Sequence, residues 1–264
     1  MKHIKKISVF ALLLLVIGVV GSLATFNLMD RSTKSIEQVV DSTNIQNITI
    51  RSSNERVELL PTNDSELKVE YTGNGKDIEN RLDVKVNGDT LTVQTKERRN
   101  FFNINFFVGS RELLVYVPEK EYQSLKINVS NGKISASNLT IKDIDSTTAN
   151  GRIELKQIIA NNVQVNSSNG KVELVEVEGT ISGETKNGSL SLSTSHLDRS
   201  IELKSSNGSI EILTEKEPTN AVLDLKTSNG KVTVFGSTDY DSVIGTGEHV
   251  IKLTTSNGSI RIEK

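Results

Sequence analysis

Cysteine and tryptophan are absent from this chain of 264 residues, proline occurs only three times, and aromatic residues make up 4% of the total. The absence of cysteine excludes disulfides, thiolate metal sites and a lipid-modified N-terminal cysteine. The aromatic content is thin for the core of a compact globular domain. Serine, threonine and asparagine are abundant instead, which is typical of short strands joined by turns.

A strong net charge is also lacking, since the formal value is −2. The chain therefore has no polycationic character with which to bind nucleic acid. Without the three lysines that precede position 27, it has 28 basic and 33 acidic residues, a net charge of −5. This balance does not favour adhesion to an anionic membrane or to a polyanionic wall polymer.

A long uncharged stretch lies near the N-terminus. Lys2, Lys5 and Lys6 precede residues 7–26, which contain no charged side chain. Twenty helical residues at about 1.5 Å each match the roughly 30 Å of a bilayer core, so the stretch predicts a transmembrane anchor. A cleaved signal peptide is the alternative, because Ser-Leu-Ala at 22–24 offers a cleavage site.

The anchor predicts the layout of the whole chain. Residues 1–6 would form a basic cytoplasmic tail by the positive-inside rule. The protein would then be a single-pass protein of the cell membrane, with its C-terminal domain outside the cytoplasm. Residues 27–44 are polar and show no strong period, so we expect a stalk of coil or weak helix.

Asn-Gly followed by apolar residues at alternate positions recurs through the second half of the chain. The steps from one asparagine to the next are 19, 19, 18, 20, 22 and 28. Self-similarity at a period of this size is typical of stacked repeats. The predicted structural turns are Asn131-Gly132, Asn150-Gly151, Asn169-Gly170, Asn187-Gly188, Asn207-Gly208, Asn229-Gly230 and Asn257-Gly258.

Two architectures fit this repeat. In a parallel β-solenoid, each unit is one coil and like positions stack about 4.8 Å apart, so the corner asparagines could hydrogen-bond in a ladder. In an antiparallel meander, each Asn-Gly would be a hairpin turn, with Lys204 opposite Glu211. Identical corners at nearly equal spacing favour an all-β parallel solenoid of about 20-residue coils over residues 119–264. Turn chemistry would account for the corner glycines.

Residues 45–118 predict a β-rich region that continues into the solenoid. Asn54-Glu55 matches the repeat with Glu in place of Gly, as expected of a degenerate copy at the end of an array. Residues 82–93 predict a β-hairpin around Asn87-Gly88.

Four of the seven phenylalanines fall within residues 98–109. One interpretation is an exposed loop that grips lipid or a partner protein, with basic residues on the headgroups. The other is an apolar plug that caps the open end of the solenoid. The residues concerned are Arg98, Arg99, Phe101, Phe102, Phe106 and Phe107.

The basic and apolar N-terminus, the strand end Val-Tyr-Val-Pro at 115–118 and the sequel at 125–134 occur here together with serial Ser-Asn-Gly corners. In this combination the chain resembles the "putative adhesin" family of bacterial β-strand-repeat proteins, a domain of unknown function. Its layout is similar to the LiaG-type members encoded with cell-envelope stress systems. The resemblance covers most of residues 45–264 and implies a right-handed β-solenoid outside the membrane, without known catalytic residues.

Groups for catalysis are scarce. His196 and His249 have no metal-ligand spacing, and we predict no cofactor. Two acidic pairs, Asp143 with Asp145 and Asp239 with Asp241, could bind Ca²⁺ or flank a glycosidic bond. Asp143 and Asp145 do not recur at the equivalent place in the next coils, so turn residues are the preferred interpretation and a polysaccharide-active enzyme is only an alternative.

One basic row remains. Lys133, Arg152 and Lys171 follow three successive corner glycines, and stacking would place them in a line about 10 Å long. The row could meet a wall polymer or an acidic partner, or it could be solvated charge that discourages further strand pairing. We therefore predict a non-enzymatic binding, scaffold or accessory module at the cell envelope, with an envelope protein or wall polymer as partner.

Overall fold

The structure is a computed structural model that describes residues 11–12, 14–19, 33–74, 78–96 and 111–264. Residues 11–12 and 14–19 are helical. Among the residues described, no helix is both long enough and apolar enough to cross a membrane. Most of the predicted anchor at 7–26 lies outside them, so the anchor and its cleavage stay predictions.

The remaining described residues form 21 strands and one short 3-10 helix at Ile78–Asn80. Apolar residues alternate with polar ones along these strands, so one side of each strand faces the core. In Ile210–Thr214, for example, buried and exposed residues alternate strictly. In chain order the strands are β1 Thr33–Asp41, β2 Asn47–Ser52, β3 Arg56–Thr62, β4 Glu66–Asn74, β5 Leu82–Asn87, β6 Thr90–Thr95, β7 Glu112–Pro118, β8 Glu121–Val129, β9 Ile134–Thr148, β10 Ile153–Ile159, β11 Asn162–Ser167, β12 Val172–Val177, β13 Thr180–Thr185, β14 Leu190–Thr194, β15 Ile201–Ser205, β16 Ile210–Thr214, β17 Ala221–Thr227, β18 Val232–Val234, β19 Val243–Ile244, β20 His249–Thr255 and β21 Ile260–Glu263.

Each coil has two strands that meet at an Asn-Gly corner, and the coils stack in parallel. Val172, for example, lies opposite Ile153 on one side and Leu190 on the other. The structure therefore confirms a long, parallel-rich sheet of stacked coils and excludes the meander. Lys204 contacts Glu184 of a neighbouring coil at 3.4 Å, and its strand pairs in parallel with β13 and β20.

The stacked strands form two faces around one apolar core. We call the strands that lead into the corners the incoming face, and those that leave the corners the outgoing face. β9 contributes residues 143–148 to the incoming face and 134–140 to the outgoing face. In stacking order the incoming face is β6, β2, β8, β9, β11, β13, β15, β20 and β17, and the outgoing face is β7, β3, β9, β10, β12, β14, β16, β21 and β18.

Coils near the two ends do not stack in chain order. The β2–β3 coil lies between the coil of β6 and β7 and the coil of β8 and β9. The last coil, β20–β21, lies between β15–β16 and β17–β18. After β16 the chain leaves the adjacent position in the stack empty and forms the β17–β18 coil one position further along. The β20–β21 coil then occupies the empty position. The two longest steps of the repeat, from Asn207 to Asn229 and from Asn229 to Asn257, occur at this crossing.

The secondary structure predicted for the stalk is wrong at residues 33–41, which form β1 and pair antiparallel with β4. β1 is an edge strand, and only Ile36 and Val40 of it pack against the core. Because both of its sides are largely exposed, its sequence lacks the alternation that reveals other strands. The hairpin at 82–93 is confirmed as β5 and β6, with Gly88 at φ 62° in the turn.

Candidate interaction surface

The corner asparagines form a continuous ladder along one edge of the stack. The Nδ2 of each donates a hydrogen bond to the Oδ1 of the asparagine in the adjacent coil, at 2.7–2.9 Å. The ladder starts at Asn54, passes Asn207 and Asn257, and ends at Asn229. The amide ladder expected from the sequence is therefore present.

Close approach between coils explains the corner glycines. A Cβ on Gly170 would lie 1.6 Å from the carbonyl oxygen of Gly151, and a Cβ on Gly188 would lie 1.9 Å from that of Gly170. None of the seven corner glycines is among the residues with positive φ. The interpretation that turn conformation requires these glycines is thus wrong. Glycine is needed because the next coil occupies the volume of a side chain.

A second line of hydrogen bonds lies behind the ladder, and sequence reasoning missed it. In six of the seven repeats, the residue two positions before the corner asparagine is serine or threonine. The exception is Val129, in the repeat of Asn131. These hydroxyls donate to the glycine carbonyl of the neighbouring coil at 2.8–3.4 Å. The recurrence is visible in the sequence, but a hydroxyl at this position does not by itself indicate its acceptor.

Glu55 takes the glycine position in the first rung and is only 2% exposed. Its Oε1 accepts a hydrogen bond from the hydroxyl of Tyr71 (3.4 Å) and lies 3.9 Å from the guanidinium of Arg111. Its Oε2 accepts hydrogen bonds from the hydroxyls of Ser52 (2.5 Å) and Thr95 (3.0 Å) and from the backbone N–H groups of Ser53 and Asn54. Burial alone would raise the pKa of Glu55, but these four donors together outweigh it and lower the pKa. The carboxylate is therefore ionised although it is buried.

The predicted aromatic segment lies in the sequence between β6 and β7, and only these flanking strands are described. Gln94 lies opposite Arg51 and Glu112 lies opposite Arg56. Residues 52–55 connect Arg51 to Arg56, whereas residues 95–111 connect Gln94 to Glu112. The chain between Gln94 and Glu112 is therefore much longer than the chain between Arg51 and Arg56 in the adjacent coil. The candidate residues Arg98, Arg99, Phe101, Phe102, Phe106 and Phe107 lie outside the described residues, so their role stays a prediction.

The basic row predicted on the outgoing face has carboxylate partners. Lys133 contacts Glu154 of the next coil, and Lys171 contacts Glu173 at 3.1 Å. Hydrogen bonds from Lys133 and Lys156 lower the pKa of Glu154 to about 2. Most of the row's charge is therefore compensated locally.

Arg152 differs from its two neighbours in that row, because it is exposed and makes no ion pair with any residue the structure describes. The sequence did not reveal this difference. It depends on which carboxylates the strand register places beside each cation.

A groove on the incoming face combines hydrogen-bonding side chains with an uncompensated cation. It has a volume of about 330 Å³ and crosses β6, β2, β8 and β9. Arg51, Gln94, Asn128 and Thr147 line it, and no carboxylate does. Within the described ranges Arg51 forms no ion pair. Sequence reasoning missed this site because β2, β6 and the β8–β9 segment, which contribute to it, are distant from one another in the chain.

One of the two acidic pairs, Asp143 with Asp145, is engaged by neighbouring side chains. Asp143 accepts a hydrogen bond from Asn162 at 2.7 Å, and Asp145 forms an ion pair with Lys126 at 2.8 Å. His196 contacts Glu178 at 3.3 Å. Over the part of the chain that is described, no group of three or more His, Asp or Glu side chains is placed to hold a metal ion.

Comparison with known proteins gives a family match over most of the chain. The family model described as Toastrack DUF4097 matches residues 45–180 and 165–263. A search of the curated proteins finds no match.

Three solved structures are similar at low identity. They are a "putative cell adhesion protein" from Clostridium sporogenes (11% identity, TM-score 0.43, 88% of this chain and 99% of that chain covered), a "putative adhesin" from Bacteroides fragilis (12%, 0.48, 88% and 98%) and a "putative lipid binding protein" from Parabacteroides distasonis (14%, 0.45, 89% and 98%). At these TM-scores none of them carries an argument about function.

Proposed function

The chain belongs to the Toastrack DUF4097 family, and from this premise we propose that it is a non-enzymatic binding module of the cell envelope. The resemblance to a family of adhesin-like repeat proteins is confirmed by the match, whereas the LiaG-type relationship is part of the proposal. In it, residues 7–26 anchor the protein as a single membrane span. The coils lie outside the cytoplasm and wind in the right-handed sense that the resemblance implies.

The groove around Arg51 is the observation that carries this proposal. Other lysines on the incoming face have carboxylate partners, as Lys126 has Asp145 and Lys252 has Glu202, both at 2.8 Å and both from the adjacent coil. Arg51 is flanked instead by the side chains of Gln94 and Asn128. Amide groups and an unpaired guanidinium together suit a carboxylate or phosphate on a partner.

The position of the groove agrees with a role near the membrane. Its strands lie in the first coils of the stack, and β1 begins at Thr33 at the same end. Seven residue steps from Phe26 to Thr33 span at most about 25 Å. An anchor at 7–26 would therefore hold this end of the stack close to the bilayer, and β6, the last described strand before the four phenylalanines, lines the groove.

Site-specific crosslinking in intact envelopes tests the binding role. A photoreactive residue at Asn128 reports on the groove, and the same residue at exposed Ser209 reports on the outgoing face. We expect an envelope protein to be captured from position 128 and lost in Arg51→Gln. Arg152→Gln is the matched control, because Arg152 is another exposed arginine without an ion pair among the described residues.

Equal capture from positions 128 and 209, or capture that Arg51→Gln leaves unchanged, would contradict the proposal. Capture of wall polymer alone would favour the adhesive alternative. Turnover of a glycan by the purified protein would favour the enzyme alternative.

Export is tested separately. Because the natural chain has no cysteine, a single Lys216→Cys substitution in an exposed loop provides a unique thiol. We expect a membrane-impermeant maleimide to label it in intact cells. Labelling only after lysis would contradict an extracytoplasmic location, and the mass of the mature protein shows whether residues 1–24 are removed.

A further inference from the structure

The chain contains Asn-Gly at the seven corners of the ladder and also at Asn87-Gly88 in the β5–β6 hairpin. We propose that the ladder protects its interior asparagines from deamidation. The modification sites are then Asn87, which lies outside the ladder, and Asn229, which terminates it. Asn74-Gly75 includes a residue that is not described and takes no part in the comparison.

The reaction needs only the chain and water. The backbone nitrogen of the glycine attacks the side-chain Cγ of the asparagine, a C–N bond forms, and the side-chain nitrogen leaves as ammonia. Water then opens the cyclic imide to aspartate or isoaspartate. Glycine favours attack because no side chain shields its nitrogen, and because ring closure needs backbone rotations that glycine permits.

At the interior corners the asparagine is held by hydrogen bonds, and the glycine is held by close packing against the adjacent coil. The Nδ2 of Asn169 donates to Asn150, and its Oδ1 accepts from Asn187, both at 2.7 Å. Its backbone N–H donates to the carbonyl of Ala149 at 2.9 Å. The space above Gly170 is filled by the carbonyl of Gly151. Ring closure would have to break these hydrogen bonds and move the glycine away from the adjacent coil.

Asn87 lacks the side-chain hydrogen bonds and the close packing of the corners, although its backbone pairs with Thr90 across the hairpin. It is exposed, and its side chain makes no hydrogen bond with any residue in the described ranges. Gly88 has no atom within 4 Å of the position of a Cβ, and its φ is +62°. This site has the same reacting residue pair as the corners but an open environment.

Asn229 is restrained more than Asn87 but less than the interior asparagines of the ladder. Its Nδ2 donates to Asn257 at 2.8 Å, but no coil lies beyond it, and its Oδ1 has no partner among the residues described. At the opposite end, Asn54 is followed by Glu55, whose side chain shields the backbone nitrogen. The ladder is therefore chemically vulnerable at one end only.

Deamidation of an interior asparagine would disrupt the ladder, so slow deamidation there helps to preserve the fold. An aspartate in place of Asn169 has no side-chain donor for Asn150 Oδ1, and it faces that oxygen with a negative charge. An isoaspartate would also add a backbone atom at a corner where coils are in contact.

Peptide mapping by mass spectrometry of the purified full-length protein, held at pH 8 and 37 °C, tests the proposal. We expect Asn87 to convert at least about tenfold faster than Asn150, Asn169, Asn187 and Asn207, the factor expected when two hydrogen bonds must open. Asn229 should convert at an intermediate rate. In urea all eight should convert at similar rates, which controls for local sequence.

The variant Asn187→Ala provides a second readout. It removes a partner from Asn169 and from Asn207, whose conversion should accelerate, while Asn131 should stay slow. Equal native rates at all eight sites, or an interior site faster than Asn87, would overturn the proposal. If the variant fails to fold, the comparison of sites within the natural protein still decides the question.

Discussion

The two bends of each coil are stabilised by different kinds of hydrogen bond. At the corner line, side chains bond to their own copies in the adjacent coil, as Asn169 does to Asn150 and Asn187. At the second bend, where the chain returns from the outgoing to the incoming face, bonds form between unlike residues. Asp198, for example, accepts hydrogen bonds from the backbone N–H groups of Thr219 (2.7 Å) and Asn220 (3.0 Å).

This difference explains which bend can vary. A ladder of like residues forms only if every coil has the same residue at the equivalent position. A substitution in one coil therefore removes a hydrogen-bond partner from both neighbouring coils. At the second bend the residue types differ from coil to coil, although three successive coils share one backbone conformation at stacked positions. Asn138, Gln157 and Glu176 adopt left-handed conformations, with φ of 49–56°, and Arg199 packs against Glu178 and Thr194 at 2.8 Å.

Among substitutions at the two bends, we expect Gly170→Ala in the corner line to lower the free energy of unfolding most. Its Cβ would collide with a backbone carbonyl that cannot move without displacing a coil. We expect a loss of about 3 kcal/mol or more in the free energy of unfolding, at the upper end for overpacking. Urea denaturation followed by circular dichroism measures it.

Gly88→Ala is the control for that substitution, since Gly88 has open space but a positive φ. It should lose about 1–2 kcal/mol, the cost of a left-handed conformation for alanine. Equal losses for the two variants would show that close approach between coils is not what requires glycine at the corners.

Removal of ladder bonds should have the next largest effect. Asn169→Ala eliminates two amide hydrogen bonds and Asn229→Ala eliminates one. At about 1 kcal/mol each, the expected losses are about 2 and about 1 kcal/mol. The same denaturation experiment compares the variants, and a larger loss at position 229 would refute the additive ladder.

The contribution of Glu55 to the stability of the first rung should depend on pH. Its pKa is lowered in the folded protein, so its contribution is complete above the ordinary glutamate pKa of about 4.3 and is lost as the pH falls below that value. We expect Glu55→Gln to cost about 1.5 kcal/mol at neutral pH, as for a hydrogen bond to a charged group.

The difference in stability between the natural protein and Glu55→Gln should therefore shrink as the pH falls from 5 towards 3. Other carboxylates titrate in both proteins and cancel in this comparison. A difference that stays constant over this range would show that the carboxylate is not held in its ionised form by its four donors.

The smallest effect should come from the second bend. Asp198→Ala removes an acceptor from two backbone N–H groups, and we expect a loss of about 1 kcal/mol, as for a lost cap. Because these bonds involve one neighbouring segment only, the amide ladder should be undisturbed. Hydrogen exchange checks this: faster exchange at Thr219 is expected, and faster exchange at Asn207 would contradict it.

Predictions from the sequence succeeded where a residue's role depends on its own repeat. The apolar residues Ile210 and Ile212 on either side of Glu211 revealed a strand, and the identity of the corner asparagines revealed a ladder. Predictions failed where the role depends on an unseen neighbour. The basic row looked uncompensated because Glu154 stands beside Lys133 only after the coils are stacked, and β1 was missed because an exposed edge strand has no apolar period.

By itself, the sequence determined that the chain is all-β, that each coil has the length of one repeat, and which residues form the corners. These properties follow from the period of the apolar residues and from the repeat, both of which are local. Only the tertiary structure decided that the last coil lies inside the array, that Glu55 is a buried charge, and that Arg51 is left in a groove without a carboxylate. Each of these depends on contacts between segments far apart in the chain, and the spacing of residues along a sequence does not specify which coils become neighbours.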